Sequence, residues 1–148
     1  MNERADGGFD LEEIVGHSVT RISLMGLVRL NFEDPPGFNV EKPAEVRLDV
    51  ERDFTIRPQG GQAGAKVEFR PYLENWTPSR MSELVGLFGA VVVSARADPD
   101  ATLRITFADN RELEVLPDPQ YEGWGFSAGG HLIGQTAGNG LYYFPPPP

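Results

Sequence analysis

The chain contains no cysteine, so disulfides, a thiolate nucleophile and a cysteine-held zinc are excluded. It has two histidines, His17 and His131, far apart in sequence, which excludes any site built on three. Basic residues are scarce against acidic ones, 13 to 22, for a net charge of −9. That balance opposes nucleic-acid binding, which needs phosphates neutralised by Lys and Arg. The longest apolar run, Leu84 to Ala95, is 12 residues and is broken by Gly86 and Gly89. It is too short to span a bilayer. The opening MNERADGGFD has no apolar signal region, so the expectation is a soluble, cytoplasmic protein without membrane contact. Nucleophile-elbow, zinc-protease and Walker patterns are also missing.

What is present is enough for one domain. With 148 residues, 40% of them hydrophobic, the chain can bury roughly 70% of its unfolded surface without staples. Residues 1–144 read as a single β-rich domain, and Pro145 to Pro148 as an exposed polyproline tail. A partial internal repeat suggests halves at 11–75 and 79–144. Glu13-Ile14-Val15-Gly16 resembles Glu83-Leu84-Val85-Gly86, at an offset of 70. Val28 to Asp34 resembles Leu103 to Asp109, at an offset of 75.

Strand signals dominate. Val28/Leu30/Phe32, Val46/Leu48/Val50 and Leu103/Ile105/Phe107 each alternate with wetter residues, the period of an antiparallel sheet with one buried face. Val19 to Leu24, Phe54 to Arg57, Lys66 to Arg70 and Val91 to Ala95 add further strands, the last reading as buried on both faces. Trp124 and Phe126 alternate with small residues before a Gly129-Gly130 turn, and Asn139-Gly140 predicts a two-residue hairpin into Leu141 to Phe144. Asp10 to Gly16 and Ser79 to Leu87 read as short helices, capped by Asp10 and by Ser79 or Ser82. The expected architecture is a mainly β, antiparallel sandwich or roll of roughly eight to ten strands with one or two short helices.

One register follows from face matching. Leu103, Ile105 and Phe107 must share a face with Leu113 and Val115. A three-residue loop, Ala108 to Asn110, achieves this with Asn110 in the left-handed region. It sets Arg104 opposite Glu114, a cross-strand charge pair.

Candidate chemistry is thin. Gly60-Gly61-Gln62-Ala63-Gly64 reads as a hairpin loop, because no helix with a Lys-Ser/Thr pair follows it. Carboxylates gather at Glu41, Glu45, Asp49, Glu51 and Asp53, at Asp98 and Asp100, and from Asp109 to Glu122. Such groups serve as a solvated face, as a surface for a basic partner or, in pairs, as a hydrolase dyad such as Asp109 with Glu122. The tryptophans, Trp76 in a loop and Trp124 beside Tyr121 and Glu122, are anchor or core residues.

The stretch Leu103-x-Ile105-x-Phe107-x-Asp109, Leu113-x-Val115, Asp118 and Tyr121-Glu122-x-Trp124 resembles a family of small uncharacterised bacterial proteins. That family has a strand–turn–strand unit followed by Tyr-Glu-x-Trp, and Gly16, Val19 and Ile22 match its entry strand. Its members look like immunity proteins of toxin–immunity systems. The resemblance implies a non-enzymatic binding protein that occludes a basic toxin with an acidic, aromatic surface. The expected contacts are Trp76, Asp118, Tyr121, Glu122 and Trp124, without cofactor or metal. The expected partner is a protein, possession of nucleic acid or membrane partners is not expected, and the chain itself is a monomer or homodimer. The alternatives are a β module enclosing a small molecule and, third, the two-carboxylate hydrolase.

Overall fold

Alternation of apolar and polar residues produces strands here because each such segment can bury one face and wet the other. The computed structural model describes residues 1–33, 46–58, 66–73, 76–138 and 140–148. Among these lie thirteen strands and one α-helix. The first half holds β1 (Asn2–Glu3), β2 (Phe9–Asp10), β3 (Ser18–Leu24), β4 (Val28–Glu33), β5 (Val46–Val50), β6 (Phe54–Arg57) and β7 (Val67–Phe69). Helix α1 (Pro78–Val85) follows, then β8 (Val92–Ala97), β9 (Leu103–Phe107), β10 (Glu112–Val115), β11 (Trp124–Ala128), β12 (His131–Thr136) and β13 (Gly140–Phe144).

The strands form two antiparallel sheets in a sandwich-like arrangement. One has the order β1-β2-β8-β9-β10-β6-β7, the other β13-β12-β11-β5-β4-β3. Each half therefore lays down a three-strand meander in one sheet and then sends its next hairpin into the other. Strand β6 lands beside β10, and β11 lands beside β5. Between the sheets, Phe32, Phe54, Phe69, Phe107 and Phe126 are fully buried with the aliphatic residues of both meanders. Phe54 and Phe69 stack with centroids 4.6 Å apart.

The two meanders meet through their first strands, and the bonds there repeat. Gly16 N–H donates to Val92 O (2.8 Å) and Gly89 N–H to Val19 O (2.8 Å). Val92 N–H donates to His17 O (2.9 Å) and Val19 N–H to Ala90 O (3.0 Å). Each bond maps onto another when residue numbers shift by 73 (16 to 89, 19 to 92). The β-bulges obey the same shift, between Val19 and Arg21 in β3 and between Val92 and Ser94 in β8. Gly16 and Gly89 both have positive φ, +85° and +80°. The offset of 70 read from Glu13–Gly16 and Glu83–Gly86 is thus displaced by about one helical turn, since Gly86 has an ordinary helical φ of −60°.

The hairpin register of β9 and β10 is as the face matching requires. Ile105 lies opposite Leu113, Leu103 opposite Val115 and Arg104 opposite Glu114, with Asn110 at φ +69°. Other expectations are corrected. Asp10 belongs to β2, and Glu12–Ile14 is a single 3-10 turn without a side-chain cap. Thr77, not a serine, caps α1, its hydroxyl accepting from Arg80 N–H while Pro78 occupies the first turn. Val91 and Val93 are 37% and 49% exposed, so β8 is not buried on both faces. Gly140 already pairs with Thr136, which rules out a two-residue turn at Asn139-Gly140. Asn139, Gly60 to Gly64, and Glu41 and Glu45 lie outside the described residues.

Charge pairs brace the outer face of the second meander. Arg104 bonds both Glu114 (3.0 Å) and Asp98, and Arg4 reaches Asp98 at 3.0 Å. Burial acts to raise the Asp98 carboxyl, but the bonds from Arg4 and Arg104 outweigh it and hold it below its ordinary range. Burial likewise opposes, and Lys66 with Arg104 then overcome it to lower, the Glu114 carboxyl.

Two outcomes test this account. Asn110→Ala costs about 1 kcal/mol in denaturant unfolding, because alanine lacks the short polar side chain that eases asparagine into positive φ, while Asn110→Gly costs well under that. Lowered carboxyls stabilise the fold above their unfolded-state pKa and lose that contribution as pH falls through the folded-state values. Stability therefore falls as pH drops below about 4, the ordinary carboxylate range, and Arg104→Met lowers stability at pH 7 while flattening that acid slope.

Candidate partner-binding face

The two sheet crossings run side by side. Residues 51–53 carry the chain from β5 to β6, and residues 116–123 carry it from β10 to β11. Glu51 N–H donates to Gly123 O at 2.9 Å, fastening one crossing to the other. The longer crossing is shaped from within. Asp118 Oδ1 accepts from Gln120 N–H (2.8 Å) and Tyr121 N–H (3.0 Å), closing a turn. Beneath it, fully buried Gln135 accepts at Oε1 from Asp118 N–H (3.1 Å) and Gly123 N–H (2.8 Å). Its Nε2 donates to Asp118 O at 2.6 Å. One amide thus satisfies three backbone groups that would otherwise be buried without partners.

Two surfaces flank this loop. On one, the Arg52 guanidinium lies 4.0 Å from the Tyr121 ring centroid and 4.4 Å from that of Tyr72. Asp118 Oδ2 lies 3.7 Å from Arg52 Nε. The arginine is held between two half-exposed rings, a stack in which each cation–π contact fixes the side chain that would otherwise sweep the surface. Partial burial, then the adjoining Asp53 carboxylate, raises the Tyr72 hydroxyl above its ordinary value.

On the other side is a shallow groove of about 150 Å³, with Asp49, Glu51 and Glu122 around Tyr142. Asp49 is committed to Arg29, which bonds it through two nitrogens at 2.7 and 3.0 Å. Glu51 and Glu122 are exposed, and their carboxylates make no hydrogen bond or ion pair among the described residues. Tyr142 can lie where it does because Gly134 has no side chain. A Cβ there would stand 2.5 Å from the Tyr142 hydroxyl and 2.6 Å from Trp124 O. Burial, then the charges of Glu122, Glu51 and Asp49, raises the Tyr142 hydroxyl, so it is a proton donor throughout the physiological range.

The structure brings Asp118, Tyr121 and Glu122 together on this one loop. Trp124 is different: it is 2% exposed, and its Nε1–H donates to Ala101 O at 2.8 Å. Its indole is core, which removes it from the expected contact surface. Trp76 is half-buried, packed against the core with its ring 6.5 Å from Phe69, on a segment separate from the loop. Sequence reasoning missed Arg52, Tyr72, Tyr142 and Gln135. Arg52 was legible only as the odd cation between Glu51 and Asp53.

The Asp109 carboxylate is held by Arg111, whose bonds at 2.8 Å and, through the backbone, 3.1 Å lower it, the opposite of what a general acid requires. His131 Nδ1 is 2.7 Å from the Tyr143 hydroxyl. Among the described residues no group of three or more His, Asp or Glu could hold a metal ion. Nor is any helix among them long and apolar enough to cross a membrane.

Gln135→Leu leaves the bonded backbone groups of Asp118 and Gly123 without partners. It is expected to cost at least about 2 kcal/mol in thermal or urea unfolding, and to shift the backbone resonances of residues 118–123.

No curated protein and no solved structure matches the chain. A family model matches residues 10–140, nearly the whole chain. The chain accordingly belongs to DUF6188, a family of unknown function.

Proposed function

We propose that the chain is a non-enzymatic protein-binding module that meets a cationic partner with its crossing loops. The observation that carries this reading is the pair of unpaired carboxylates on adjoining crossings, Glu122 on the loop held from beneath by Gln135 and Glu51 on the shorter crossing bonded to it at Gly123. Most neighbouring carboxylates are already answered by arginine, so these two are the ones left to receive a partner's Lys or Arg. Tyr121 beside them, 53% exposed and stacked on Arg52, adds apolar area at little entropic cost because its rotamer is already restrained. The net charge of −9 favours fast capture of a basic partner.

A ligand pocket between the sheets is less well supported, because the interior is filled by the aromatic and aliphatic core. The narrower form of the binding reading, neutralisation of a toxin by filling its basic cleft, rests on the sequence resemblance alone.

The test is affinity capture with the full chain at low salt and at about 0.5 M salt, beside a Glu51→Lys/Glu122→Lys variant. A basic protein retained at low salt, released at high salt and lost from the variant supports the reading. A partner held equally by the variant, or a partner indifferent to salt, overturns it.

A further inference from the structure

The second candidate surface is on the opposite edge of the β5 sheet and is independent of the acidic face. Strand β3 is the outermost strand there, and α1 lies beside it. Between them runs an apolar groove of about 450 Å³, including Ile22, Leu24, Met81, Leu84, Val85 and Phe88. Its rim carries an unusual load of exposed apolar side chains: Leu24 at 37%, Val85 at 54%, Phe88 at 63%, and neighbouring Met25 at 63%.

The molecule itself shows what such an edge can take. Under the 73-residue correspondence, β3 matches β8, and the outer side of β8 is covered. Leu11 N–H donates to Ala95 O at 2.9 Å, and Phe9 pairs with Ala97. The segment doing this, Phe9-Asp10-Leu11, alternates apolar and acidic residues and runs on into Glu12-Glu13-Ile14. The corresponding positions on β3 are Ile22 (for Ala95) and Leu24 (for Ala97). The residues that correspond to 9–11 are 82–84, inside α1, so the second half has no such strand to lay on β3. Ile22 and Leu24 make no backbone bond on this side among the described residues.

Charge selects the occupant. Arg21 is the one charged residue lining the groove, and it is exposed without an ion partner among the described residues. Strand β3 carries one charged residue, Arg21, and no carboxylate, against a whole-chain charge of −9. A second copy laid on β3 would set one cationic strand against another. We propose that the β3–α1 groove is a docking site for an extended, acidic–apolar segment of a partner protein. The segment adds as a strand to Ile22 and Leu24, places an apolar side chain between Leu24 and Phe88, and sets a carboxylate on Arg21.

The probe is the capped synthetic peptide Gly-Phe-Asp-Leu-Glu-Glu-Ile, copying residues 8–14, added to the isotopically labelled full chain. The expected result is resonance shifts confined to β3 and α1, slowed amide exchange at Ile22 or Leu24, and about tenfold weaker binding by Arg21→Glu. Arg21 is exposed, so that variant keeps the fold. A peptide with its three acids changed to lysine should bind more weakly still. The proposal is overturned by no shifts at millimolar peptide. It is also overturned by shifts centred on Ala95 and Ala97, which would mean strand exchange at β8, or by sedimentation showing that the free chain already pairs through β3.

Discussion

The arrangement hangs on the reciprocal backbone bonding of Val19 and Val92. Each gives its N–H and its C=O to the turn that precedes the other, so the first strands of the two meanders are tied before either sheet is complete. The two glycines in those turns adopt positive φ, which a side chain would resist, and the bulges that follow re-aim both strands away from the tie. From that point each half can lay three strands in one sheet and cross to the other. The crossings must then pass beside each other, and that is where the free carboxylates and the Tyr–Arg–Tyr stack are found.

The two crossings solve one geometric problem with different chemistry. The shorter, Glu51 to Asp53, needs only the backbone bond to Gly123. The longer one carries Pro117 and Pro119, which have no N–H to give, and it leans on Gln135 for the groups that remain. A buried side-chain amide in a strand is a costly choice unless it is bonded, and here both its oxygen and its nitrogen are. The rigidity that results is what makes Tyr121 and Glu122 a defined surface rather than a wandering loop.

Much of the fold is legible in the sequence where a strand has one wet face. Val28 to Phe32, Val46 to Val50 and Leu103 to Phe107 alternate cleanly, and the β9–β10 register follows because only one loop length keeps Ile105 and Leu113 together. Strand β8 misleads because three consecutive valines show no alternation: Val92 is buried, while Val91 and Val93 look like core yet lie on the surface. The helix cap is missed because Thr77 precedes a proline and the serines inside α1 look equally suitable. At the site, Asp118, Tyr121 and Glu122 are close in sequence and so were legible together. Arg52, Tyr72 and Tyr142 reach the same region only through the crossings between sheets, and no spacing announces that.

The exchange of hairpins has a consequence for how the protein comes apart. Neither sheet belongs to one half: β6 and β7 complete the sheet of the second meander, and β11 to β13 complete that of the first. Opening either half strips the inner neighbour from β5 or β10 and exposes the core of both. No half is a separate unit of unfolding, so the hydrophobic interior is lost as a whole or not at all. During synthesis the first meander must wait for β11, roughly half the chain later, before its sheet has a second side. A ribosome-bound first half is therefore a chain with an open β5 edge, and completion of the second half is what closes it.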